Sequence, residues 1–126
     1  MTRKLNTLLF SSNQVPALKR RWPRIDVDIP AQLQVFSTSD PIHCINGQAQ
    51  VKNISSTGAF LAEISLEETL NPQDAYRVLL KIDQPPLSNW MAESILLHVS
   101  QDNTAGLKFI NLSKQNRLKM ANMFEQ

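Results

Sequence analysis

From Ile25 onward the pattern of apolar and polar residues reads as a series of strand-like runs, separated at short intervals by turn-forming clusters. Ile25, Val27 and Ile29 alternate with Asp26 and Asp28, the pattern of a strand with one buried face. Pro30 interrupts this run, so an edge position or a bulge is expected there. Leu33 and Val35 resume it. Ser37-Thr38-Ser39-Asp40-Pro41 is a turn cluster. A second strand is expected over 42–54, although Asn46-Gly47 within it also suits a tight hairpin turn. Further strands are expected over 58–64, 76–82, 91–100 and 104–111. Asn71-Pro72, Gln84-Pro85-Pro86 and Asp102-Asn103 punctuate them.

The period changes near the C-terminus. Ser113 is a plausible N-cap. Leu118, Met120, Ala121, Met123 and Phe124 then give a helix-like apolar stripe. An isolated helix of about 12 residues is marginal in water, so its Met- and Phe-bearing face must lie on the sheet. The expected fold is mainly β: a six-stranded antiparallel barrel with one C-terminal helix and a flexible basic N-terminal arm. Residues 1–18 read as a leader, in which Leu5, Leu8 and Leu9 allow one amphipathic turn before Ser11-Ser12-Asn13 breaks it. Residues 19–126 read as the domain, and 126 residues suit a single core.

Charge sharpens this division. The net charge is +2, yet residues 1–24 hold six basic side chains (Arg3, Lys4, Lys19, Arg20, Arg21, Arg24) and no acid, leaving a net −4 on the remainder. A solvated basic tail is the plain explanation. Trp22 and Pro23 among the charges favour an anion-binding arm instead, because a solvated tail gains nothing from an exposed indole. The single cysteine, Cys44, excludes an internal disulfide and a cysteine zinc cluster. No apolar stretch approaches the roughly 20 residues of a membrane span, and the N-terminus is too broken for a signal peptide, so a cytoplasmic protein is expected.

Two tracts carry the candidate chemistry. Arg20-Arg21-Trp22-Pro23-Arg24 places two guanidiniums four residues apart. Pro23 pushes Trp22 toward extended backbone, which would set the Cα atoms of Arg20 and Arg24 about 13 Å apart. Arginine's planar fork can grip a phosphate or the O6/N7 edge of guanine with two parallel bonds. Surface pairing with Asp26 or Asp28 is the structural alternative. In Asn53-Ile54-Ser55-Ser56-Thr57-Gly58, Asn53 both donates and accepts, Ser55 adds a hydroxyl, and Gly58 permits a backbone angle that other residues resist. An ordinary polar hairpin turn uses the same residues.

These two tracts, followed by Gly106-Leu107-Lys108-Phe109, resemble the PilZ family over residues 19–125. The family's intact members bind the bacterial second messenger cyclic di-GMP. The resemblance implies that Arg20 and Arg24 contact its phosphates and guanines. It further implies that Asn53 and Ser55 face a base, that Gly58 shapes the loop, and that Gly106 belongs to the family's late strand. Lys19, Arg21 and Trp22 are additional candidates, Lys19 as the residue that bears on whether one or two ligands stack. Many members stack a base on an aromatic residue seven positions before the late glycine. Val99 stands there, leaving Trp22 or Trp90 as candidates for stacking. The implied function is a receptor or adaptor with no cofactor, in which the ligand orders the arm and a downstream protein reads the change.

An enzyme is not expected. His43 and Cys44 are adjacent and so face opposite ways on a strand. His98 has no sequence partner, Glu67-Glu68 reads as a solvated loop, and no metal-ligand spacing or phosphate loop appears. Two alternatives to the receptor are a ligand-free protein–protein interaction module of the same fold and a single-stranded nucleic-acid binder. The second suits a small barrel with a basic arm but has few strand-borne aromatics.

Overall fold

The alternation along the sequence becomes an inside and an outside of a closed wall. The computed structural model describes residues 24–124. It contains β1 (Ile25–Ser37), β2 (Cys44–Ile54), β3 (Gly58–Leu66), β4 (Tyr76–Gln84), β5 (Leu87–Val99), β6 (Ala105–Asn111) and α1 (Lys114–Phe124). The six strands pair antiparallel and close in the order β1-β2-β3-β6-β5-β4, as expected. Closure leaves no free sheet edge for aggregation.

The interior is narrow, and side chains fill it. Val35, Val51, Ile54, Leu61, Val78, Leu80, Ile82 and Leu87 point inward and are almost wholly excluded from water. Ala31, Ala49, Ala59, Ala92 and Ala105 occupy inward positions where larger residues would collide across so small a barrel. Each large apolar side chain buried this way stabilises the fold by about 1.5–3 kcal/mol.

Pro30 does not end β1. It pairs with Gln50 on β2, but the ladder to β4 begins only at Gln32, and the β1–β2 register shifts between Asp26 and Ile29. Proline thus sits where the strand has one neighbour, beside an irregularity. Asn46-Gly47 is no hairpin: both residues lie in the ladder, opposite Gln34 and Leu33. At Gly47 a Cβ would come within 2.6 Å of the Ser65 carbonyl oxygen, so glycine serves close strand packing there rather than a turn. β5 begins four residues before the expected 91–100. The exposed Ser88-Asn89 pair hides the alternation between buried Leu87 and buried Trp90.

α1 covers the wall near β5. The Ser113 hydroxyl accepts the Asn116 amide at 3.1 Å, the capping bond expected of that serine. Met120 and Met123 join the core, whereas Leu118 stays exposed. The Trp90 indole N–H donates to the Asn116 carbonyl at 3.2 Å, and the Asn116 side-chain amide donates to the Met91 carbonyl at 2.8 Å. The helix is therefore fixed by hydrogen bonds as well as by buried methionines.

Candidate functional site

The hairpin between β2 and β3 is built from its own side chains. The Ser55 amide donates to the Gly58 carbonyl at 2.8 Å, and the Thr57 amide donates to the Ser55 hydroxyl at 3.2 Å. The Thr57 carbonyl in turn accepts the Phe109 amide at 2.9 Å, tying the turn to β6. Ser55 is only 6% exposed, so its hydroxyl serves the turn. Gly58 has no left-handed backbone angle, contrary to the expectation for it. Its Cβ position is instead occupied by the Leu107 carbonyl oxygen of the neighbouring strand. Glycine is required because β3 and β6 approach closely there, and no rotamer relieves a clash with backbone.

The close approach shapes a cavity of about 260 Å³ on the outer wall of β3 and β6. Arg24, Asn53, Ser55, Gly58 and Gly106 all line it. Residues more than 80 positions apart in sequence thus meet at one place. Lys19, Arg20, Arg21 and Trp22 lie outside the described residues.

The cavity favours anions. Arg24 and Lys108 line it, and none of its lining residues is acidic. Among the described residues Arg24 has no carboxylate partner. Asp28, one of the acids expected to compete for it, pairs with Lys52 at 3.0 Å. No side-chain hydrogen bond among the described residues engages the Asn53 carboxamide, which leaves a donor pair and an acceptor available. Two larger clefts, of about 710 and 730 Å³, lie elsewhere, one between the β3–β4 loop and β5 and one between the β4–β5 hairpin and α1. Neither gathers the motif residues.

Trp90 does not supply a stacking surface. It is 1% exposed, packs edge-on against Phe109 with ring centroids 5.6 Å apart, and belongs to the core. Val99 is exposed but faces the 710 Å³ cleft. Two further residues, Phe60 and Lys108, line the cavity although the two motifs do not point to them as contacts. Their signal lies in the alternation: Ala59 and Leu61 point inward on β3, so Phe60 must point outward, and Lys108 shares the outward face of Gly106 on β6.

His43 and Glu68 form a separate exposed pair, with the imidazole Nε2 2.8 Å from a carboxylate oxygen. The Glu68 hydrogen bond and charge raise the His43 pKa above its ordinary value. Among the described residues no cluster of metal-ligating side chains occurs, and no helix is long and apolar enough to cross a membrane.

Comparison with curated proteins gives no match. Among solved structures, the chain is similar to the PilZ domain of CeSA from a cellulose-synthesizing bacterium. The identity is 13%, over 82% of this chain and 99% of that one, with a TM-score of 0.49. It is also similar to the Bacillus subtilis inhibitor of motility MotI/DgrA, with 11% identity over 86% of this chain and 52% of that one and a TM-score of 0.53. This chain thus spans about half the length of the Bacillus protein, and at such identity the likeness speaks for the fold alone. The PilZ domain family model matches residues 18–126, nearly all of the sequence, including every residue of the cavity wall. The chain belongs to the PilZ domain family.

Proposed function

We propose that the protein is a cytoplasmic receptor for cyclic di-GMP that binds the dinucleotide in the Arg24–Asn53–Lys108 cavity and passes the signal to a partner protein. Support comes from one observation above all: Arg24 of the arginine tract and Asn53, Ser55 and Gly58 of the turn line the same acid-free cavity. The ligand brings two phosphates and two guanines. Arg24 and Lys108 offer charge to a phosphate, and the Asn53 carboxamide offers a matched donor and acceptor to a base edge. Ser55 and Gly58 act through the turn, one by bonding it and the other by letting β6 approach.

The cavity is smaller than the roughly 300–1,000 Å³ of typical small-molecule sites, so its walls alone hold only part of a dinucleotide. The arm supplies the rest. Arg20, with Lys19, Arg21 and Trp22 beside it, folds over the ligand once the phosphates neutralise the local positive charge. Ordering such a segment costs about 2–5 kcal/mol of the gross interaction energy, which leaves a modest net affinity and makes arm position the signal. Chemistry at the site is confined to binding, with no cofactor.

A titration panel of cyclic di-GMP, GTP and a short single-stranded RNA tests the ligand class. Saturable binding of cyclic di-GMP with weak response to GTP is expected. Preferential RNA binding with a steep salt dependence would replace the receptor with a nucleic-acid binder. Silence toward all three would favour the ligand-free interaction module.

A further inference from the structure

Phe60 is 37% exposed while its strand neighbours Ala59 and Leu61 are buried. Its two cross-strand partners are Asn53 on β2 and Gly106 on β6. Directly opposed residues on one sheet face have Cβ atoms about 4.5–5.5 Å apart, so the Asn53 carboxamide stands at one flank of the ring. The other flank is bare. A Cβ added at Gly106 would meet nothing nearer than the Leu97 Cδ1 at 3.8 Å, and Gly106 has no left-handed backbone angle. Unlike Gly58, then, Gly106 is not demanded by packing or by backbone conformation. Its missing side chain is free space beside an exposed phenyl ring, inside a cavity that also presents Arg24, Lys108, the Asn53 carboxamide and the aliphatic Leu97. Phe60 is also the one aromatic among the described residues lining that cavity.

We propose that Phe60 is the stacking platform for one base of the bound nucleotide, with Asn53 reading that base's edge and Gly106 keeping the ring's flank open to admit it. The assignment rests on the receptor function proposed above. A planar base laid on the ring covers apolar surface that the fold leaves wet. It also arrives beside the carboxamide in the plane where its edge can hydrogen-bond. Stacking is tolerant of base identity, because every base has a π-face, so discrimination falls to Asn53 and the arginines.

Calorimetric titration of cyclic di-GMP into the wild type, Phe60→Ala, Phe60→Trp and Gly106→Val proteins tests the assignment, with thermal denaturation confirming that each variant is folded. Phe60→Ala should bind roughly 5- to 150-fold more weakly. Phe60→Trp should keep wild-type affinity within a few-fold and show extra indole quenching on saturation, relative to the wild type. Gly106→Val should lose binding without losing stability. Wild-type affinity in either Phe60→Ala or Gly106→Val overturns the platform while leaving the receptor intact. A wild-type chain that ignores the nucleotide overturns both.

Discussion

Two walls of this barrel use polar groups in opposite ways. On the wall beneath α1, the Trp90 indole, the Asn116 backbone and side chain, the Ser113 hydroxyl and the Lys119 ammonium all bond to neighbours, Lys119 to the Ser88 carbonyl at 2.9 Å. On the wall formed by β3 and β6, Arg24, Asn53 and Lys108 surround a cavity, and among the described residues their side chains engage no polar partner. Hydrogen bonds that are internally satisfied stabilise a fold. Donors and acceptors held in place but unengaged are available to something else. The helix wall is therefore where mutations should act on stability, and the cavity wall is where they should act on affinity.

The largest effect should come from breaking the helix wall. Trp90→Ala removes a buried indole, its edge contact with Phe109 and its bond to Asn116. A loss of about 3–5 kcal/mol is expected in urea denaturation, with α1 undocked and the affinity of the molecules still folded little changed. Arg24→Ala is the converse. It should leave stability within about 0.5 kcal/mol and weaken cyclic di-GMP binding by about 2–5 kcal/mol, or 30-fold and more, read by calorimetry. An Arg24→Ala protein that unfolds early but binds normally would erase the distinction between the walls.

Gly58→Ala should fall between these classes, because the turn serves both. A methyl group driven against the Leu107 carbonyl should cost about 1–3 kcal/mol and move Asn53, so stability and affinity fall together. Ser94 offers a sharper test of the structural side. Its hydroxyl is fully buried and has no hydrogen-bond partner among the described residues, an arrangement for which we have no physical account. Ser94→Ala removes an unsatisfied group worth about 1–3 kcal/mol, so the midpoint of denaturation should rise.

The smallest effect concerns His43 and Glu68, remote from both walls. The folded-state pKa of His43 is raised, so the pair's contribution is fully present below the unfolded value of about 6.5. It fades as pH rises through the raised value. Stability measured from pH 5 to 9 should show a slight decline in that window, absent in His43→Ala. Because the pair is exposed, the change is screened by salt.

Much of this arrangement is legible in the amino-acid sequence. Period-two alternation marks β1 plainly, because one buried face leaves that signature whatever the topology, and strand-like runs between turn clusters mark the other five, with the start of β5 hidden by Ser88-Asn89. Ser113 announces the helix, because an N-cap acts locally. What stays hidden depends on neighbours distant in sequence. Gly47 has the local setting of a turn and Gly58 that of a backbone hinge. Both are instead contact points with other strands, at Leu66 and Leu107 respectively, which no local pattern reveals. Trp90 reads as available for stacking because composition does not say which face of β5 is covered by α1. Phe60 is hidden for the opposite reason: a lone outward aromatic is unremarkable until its partners Asn53 and Gly106 are known.

The central claim is that the cavity wall and the arginine tract grip one doubly charged nucleotide together. It is tested most directly by a binding isotherm of cyclic di-GMP on the full chain and on the Arg20→Ala, Arg24→Ala double variant. Saturable binding by the wild type, lost in the double variant without loss of fold, is the expected result. Equal binding by both proteins, or no heat from the wild type at high micromolar ligand, would contradict it.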